Sequence, residues 1–94
     1  MVSLSHTCSD TAKPFTTNDI PFYEANFHVK DYDVYYGDGS NMGAVATAGS
    51  VIYFRNGNLK DIFFKNETTG GGAIATVNVV ASVIDTETKK ALGF

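Results

Sequence analysis

The chain has 94 residues, a formal net charge of −3 and a single cysteine. That length holds one small domain, which buries roughly two-thirds of the surface exposed by its unfolded chain. Seven Lys and Arg residues, scattered against ten Asp and Glu, give no clustered basic face for nucleic acid, and one cysteine cannot close an intrachain disulfide. Nine valines, five isoleucines and ten threonines stand against three leucines, three glutamates and no glutamine, which favours pleated sheet over helix. Seven phenylalanines and five tyrosines push the same way.

In chain order, Met1 to about Ser9 alternates weakly and predicts a short strand or an arm, while Thr11 to Asp19, with Pro14 and Asn18, predicts a loop. Phe22 to Val29 predicts a strand with Phe27 and Val29 on one face and His28 and Lys30 on the other. Tyr32 to Tyr36 predicts the next strand, and Lys30-Asp31 a tight hairpin turn between the two. Gly37 to Gly43, rich in glycine with Asp38 and Asn41, is an exposed loop; Ala44 to Ala48 is a weak edge segment ending at a Gly49-Ser50 turn. Val51 to Arg55 predicts a strand closed by Asn56-Gly57, a dipeptide that favours type I′ hairpins. Asp61 to Lys65 predicts another strand, and Asn66 to Gly72 a flexible loop. Ala73 to Ile84, with period-2 alternation in its middle, predicts the longest strand. Asp85 to Lys90 is polar, and Ala91 to Phe94 ends the chain apolar.

Strands at this spacing predict an all-β fold, a small antiparallel β-sandwich or barrel of six to eight short strands with jelly-roll or Greek-key connections. The expected organisation is one domain over 1–94, with a possible N-terminal arm over 1–20 and a C-terminal tail over 85–94. The N-terminus has neither a basic nor an apolar leader region and no apolar run approaches the roughly 20 residues of a membrane span, so the expectation is cytoplasmic folding without membrane insertion.

Reactive constellations are sparse. Asp31, Asp33 and Asp38 do not follow the calcium-loop spacing and read as strand-face and turn residues. His6 and Cys8 supply two potential zinc ligands, but no second pair stands at metal spacing. No G-x-S-x-G is present, and neither Gly37-Asp38-Gly39 nor Gly70-Gly71-Gly72 leads into a helix that would hold phosphate. Asn66-Glu67-Thr68 matches a glycosylation sequon and reads as a surface loop. No catalytic residue, metal or other cofactor is therefore expected, and no enzymatic activity.

Aromatic residues carry more. Phe22-Tyr23, Tyr35-Tyr36, Tyr53-Phe54 and Phe63-Phe64 are adjacent pairs, and neighbours in a strand point to opposite faces. Each pair sends one ring inward and one outward, leaving aromatic area for a protein interface or a carbohydrate platform. Val2, Leu4, Tyr23, Tyr35, Tyr36, Tyr53, Leu92 and Phe94 are the candidate interface residues.

From about Ala25 to Val83 the sequence resembles small β-sandwich modules of tailed-bacteriophage structural proteins. The resemblance rests on Asp33-Val34-Tyr35-Tyr36-Gly37-Asp38, Ala46-Thr47-Ala48-Gly49-Ser50, Val51-Ile52-Tyr53-Phe54, Asn58-Leu59-Lys60-Asp61-Ile62-Phe63-Phe64, and Gly70-Gly71-Gly72 before the valine-rich strand. It implies a virion component assembled in the host cytoplasm: a capsid cement or decoration protein, or alternatively a tail, fibre or adaptor subunit. Its expected partners are capsid or other virion proteins and further copies of itself. A carbohydrate-binding module using Tyr35, Tyr36 or Tyr53 is the rival from another class.

Overall fold

The computed structural model describes residues 2–83, and the tail expected over 85–94 lies outside them. Among these residues eight strands run in order: β1 (Val2–Thr7), β2 (Lys13–Pro14), β3 (Pro21–Lys30), β4 (Val34–Gly37), β5 (Ala44–Ala46), β6 (Val51–Asn58), β7 (Phe63–Asn66) and β8 (Thr76–Val83). A 3₁₀ turn, Leu59–Asp61, separates β6 from β7. Two four-stranded antiparallel sheets result, ordered β1-β8-β3-β6 and β2-β7-β4-β5. The pairs β1·β8, β2·β7, β3·β6 and β4·β5 nest like the rungs of one long hairpin rolled on itself. That nesting is the jelly roll, and the chain is an all-β sandwich of that kind.

Alternation places the core. On β8, Val77, Val79 and Ala81 are buried while Thr76, Asn78 and Val80 are half-buried on the outer side. On β3 the buried set is Phe22, Ala25, Phe27 and Val29, and the odd step from 22 to 25 requires a slip of one residue. A bulge supplies it: the register against β8 shifts between Phe22 and Glu24, leaving Tyr23 and Glu24 both outside. Opposite Phe22, Gly57 of β6 makes room for the ring; a Cβ there would stand 2.8 Å from Phe22 Cζ. Phe27 is the hub of the core, 5.4 Å from Phe15, 5.4 Å from Phe64 and 5.6 Å from Phe54 between ring centroids. Tilted and edge-on pairs of this kind add about 0.5–1.5 kcal/mol each beyond burial.

Asn66 is the one buried polar side chain among the described residues, and it is satisfied. Its amide donates to Asp10 (3.1 Å) and accepts from the Ala75 N–H (3.0 Å), while its own N–H donates to the Ser9 carbonyl (2.8 Å). Asp10 also receives the Gly70 N–H, so one carboxylate and one carboxamide fasten the glycine loop to the sheet.

Four local expectations are corrected. Lys30-Asp31 is not a hairpin turn, because β3 pairs with β6 and β8 whereas β4 pairs with β5 and β7 in the other sheet. The residues form an inter-sheet corner, with Asp31 at φ 74° and the Tyr32 N–H donating to the Lys30 carbonyl. Asn56-Gly57 is not a hairpin either: both residues lie inside β6, and Asn56 at φ 54° kinks the strand before it crosses to β7 through the 3₁₀ turn. The valine-rich strand starts at Thr76 rather than Ala73, and among the described residues β3, with ten, is the longest. Residues 1–20, expected as a possible arm, run instead as β1 along β8 and β2 along β7, with Cys8 and Phe15 in the core.

Candidate functional site

The four aromatic pairs divide as alternation requires. Phe22, Phe54, Tyr36 and Phe64 turn toward the core, and Tyr23, Tyr53, Tyr35 and Phe63 turn outward. Tyr36 thereby leaves the exposed set: its ring sits edge-on to Phe54 at 6.2 Å and tilted to Phe64 at 6.4 Å. Tyr23 and Tyr53 remain about half exposed, at 45% and 51%. Leu92 and Phe94 lie outside the described residues.

Two outer faces follow, on opposite sides of the sandwich. On the β1-β8-β3-β6 sheet, Tyr53 stands opposite Asn26, which is paired in turn with Val80, and Val80 with Ser3. The Tyr53 hydroxyl donates to Glu24 Oε1 at 3.0 Å. Desolvation first, then that hydrogen bond and the Glu24 charge, hold the phenol above its usual pKa. On the β2-β7-β4-β5 sheet, Tyr35 lies between Lys65 and Val45, with the Lys65 ammonium 5.3 Å from the ring centroid. Val45, half exposed, extends this patch, and sequence reading passed over it because Ala44–Ala46 is too short to show a period.

Among the described residues β1 is an edge strand. Val2, Leu4 and His6 share the core-facing side with Ala81, Val79 and Val77, and Ser3, Ser5 and Thr7 share the outer side. Toward the Cys8 end that side is covered, His6 stacking 5.5 Å from Phe15 and 6.2 Å from Phe64. Leu4, farther along, stays 37% exposed although it faces inward.

A groove of about 400 Å³ opens between β4, β6 and the 3₁₀ turn, with Tyr36, Phe54 and Ile62 along it and Asp38, Asn41 and Asp61 at its sides. Asp38 Oδ1 already accepts the Ser40 and Asn41 N–H groups, which hold its carboxyl below the usual range. Asp33 likewise accepts the Ala48 N–H, so both aspartates serve turns. Chemically, the two groups considered for metal or nucleophilic work are quiet. Burial pushes the Cys8 thiol up to about 11, so it is uncharged at neutral pH. His6 Nε2 is buried without a hydrogen-bond partner, and no group of three or more His, Cys, Asp or Glu converges among the described residues.

Comparison with protein-family models, with curated proteins and with solved structures finds no match.

Proposed function

We propose that the chain is a non-enzymatic structural subunit of a tailed-phage particle, a cement or decoration protein that holds neighbouring shell subunits together. One observation carries the reading: apolar, aromatic contact area lies on both outer faces, at Tyr23 and Tyr53 on one side and at Tyr35 and Val45 on the other. A subunit that bridges must touch one neighbour with each side, and a protein with one binding face does not. Each contact is small, but the second is effectively intramolecular once the first has formed, so modest patches suffice on a repeating shell. Jelly rolls serve capsids, lectins and enzymes alike, so the fold adds only an analogy.

Particles separated into heads and tails, with copies of this chain counted by quantitative mass spectrometry, test the reading. A fixed ratio to the major shell subunit in heads is expected. Presence in tails and absence from heads would overturn it in favour of a tail, fibre or adaptor subunit.

The groove favours a second reading, sugar binding, since aromatic walls with carboxylate and amide rims are what polyols need. Of the three tyrosines that could serve as a platform, Tyr35 faces outward on one sheet, Tyr36 lines the groove, and Tyr53 faces outward on the other sheet. Glycan-array binding that Asp61→Ala abolishes would support this alternative, and an array without signal would remove it.

A further inference from the structure

Edges of sheets are templates for another strand unless something guards them. In this sandwich the two edges of the larger sheet differ. β6 carries Arg55 and is kinked at Asn56, two devices that discourage pairing. β1, Val2–Thr7, has six residues and no charged side chain, proline or bulge, and no described residue pairs with its far side.

The hydrogen-bond phase of β1 can be read from its end. Cys8 lies directly opposite Ala75 if the β1·β8 register continues, and its N–H donates to the Ala75 carbonyl at 2.9 Å. Antiparallel partners alternate between pairs that exchange hydrogen bonds and pairs that do not. His6, Leu4 and Val2 therefore point their backbone groups at β8, and Thr7, Ser5 and Ser3 point theirs at the open edge. Val29 of β3 confirms the phase: it bonds Ser50 and Gly49 on the β6 side, two strands away and in step.

We propose that two copies of this chain pair antiparallel through β1, about a two-fold axis at Leu4, joining their larger sheets into one eight-stranded sheet. In that register Ser3 of one copy exchanges both backbone bonds with Ser5 of the other, and the reverse. The two Leu4 residues then form the non-hydrogen-bonded pair, where side chains approach most closely, with Cα atoms about 4.5 Å apart. Leu4 meets Leu4 on the inner side and serine meets serine on the outer side. A second copy is the fitting occupant because the edge is self-complementary: donors meet acceptors, apolar meets apolar, and the neutral strand brings no like charges together. The inward-facing but exposed Leu4 gains the cover that its own second sheet does not supply. This pairing is independent of the particle reading and can stand or fall without it.

Sedimentation velocity over a concentration series, on the full chain, tests the pairing. A monomer–dimer equilibrium is expected. Ser5→Pro removes an N–H that points at the open edge and none that serves β8, so it should raise the dimer dissociation constant about tenfold or more. Leu4→Cys, with buried Cys8 retained, should give an oxidised dimer linked through residue 4, as the close pairing allows. Ser3→Cys alone should not cross-link, because residue 3 faces residue 5 of the other copy. A chain that stays monomeric at all concentrations and fails to cross-link at residue 4 overturns the proposal. So does a dimer that ignores Ser5→Pro and is lost instead on substitution in β6.

Discussion

At the scale of single residues, the tightest spot is Gly57 beneath Phe22. A methyl group there would lie 2.8 Å from a fully buried ring. Gly57→Ala is expected to lower stability by about 1–3 kcal/mol, read as an earlier urea midpoint at unchanged slope. His6 gives the fold a pH dependence. Its imidazole is held below the usual pKa of 6.5, chiefly by burial, with the Lys13 charge adding and a backbone hydrogen bond at Phe15 opposing. Because the folded state resists protonation, the unfolded chain binds the proton first as pH falls. The His6 contribution should therefore be flat above about pH 7, and stability should decline below 6.5 toward the lower folded pKa. Asp10 acts lower down: hydrogen bonds from Asn66 and Gly70 depress its pKa, so what they contribute is present above 3.8 and is lost as pH falls through the folded value. Urea midpoints at several pH values should show the upper decline, and His6→Leu should remove it while leaving the lower one. Cys8 should react with an aromatic disulfide reagent only after unfolding, since its thiol is buried and uncharged; rapid labelling of the folded chain would contradict this placement.

Among the elements, β3 and the Asn66 clamp bear the largest consequences. Phe27→Ala should cost about 3–5 kcal/mol, because one truncation removes ring contacts to Phe15, Phe54 and Phe64 together. Asn66→Ala should cost about 1–3 kcal/mol by leaving the buried Ala75 N–H unpaired, and hydrogen exchange should then quicken across residues 66–75. Element by element, alternation was legible in the sequence. The inward sets Phe27/Val29 and Val77/Val79/Ala81, and the fact that each aromatic pair splits, follow from period 2 alone, but not that Tyr36 rather than Tyr35 turns inward. What stayed hidden was which sheet each strand joins. Asp31 and Asn56 carry the residue types of hairpin turns and do adopt positive φ, but one serves a corner between sheets and the other a kink within a strand. Local turn chemistry specifies a bend, not the strand that lies beyond it. The inward step from Phe22 to Ala25 was equally unreadable, because it depends on a bulge against β8, some sixty residues away in sequence.

For the whole molecule, the sequence suggested that twelve aromatics exceed what one thin core can hide, and the fold narrows that claim. Phe15, Phe22, Phe27 and Phe64 are buried, and Tyr36 and Phe54 pack against them, so among the described residues the surplus is four tyrosines and Phe63 rather than a broad patch. Their distribution matters more than their number, because the rolled hairpin sets Tyr53 and Tyr35 on opposite outer faces. The candidate contacts were thus legible as residue types, whereas their division between two faces came from the topology. That division is the centre of the bridging claim, and tyrosine nitration mapped by mass spectrometry tests it most directly. In the free protein, Tyr53 and Tyr35 should both modify. On purified heads, both should be protected together while Tyr32, exposed at the inter-sheet corner, still reacts. Protection of only one face, or of neither, would contradict a subunit that bridges its neighbours.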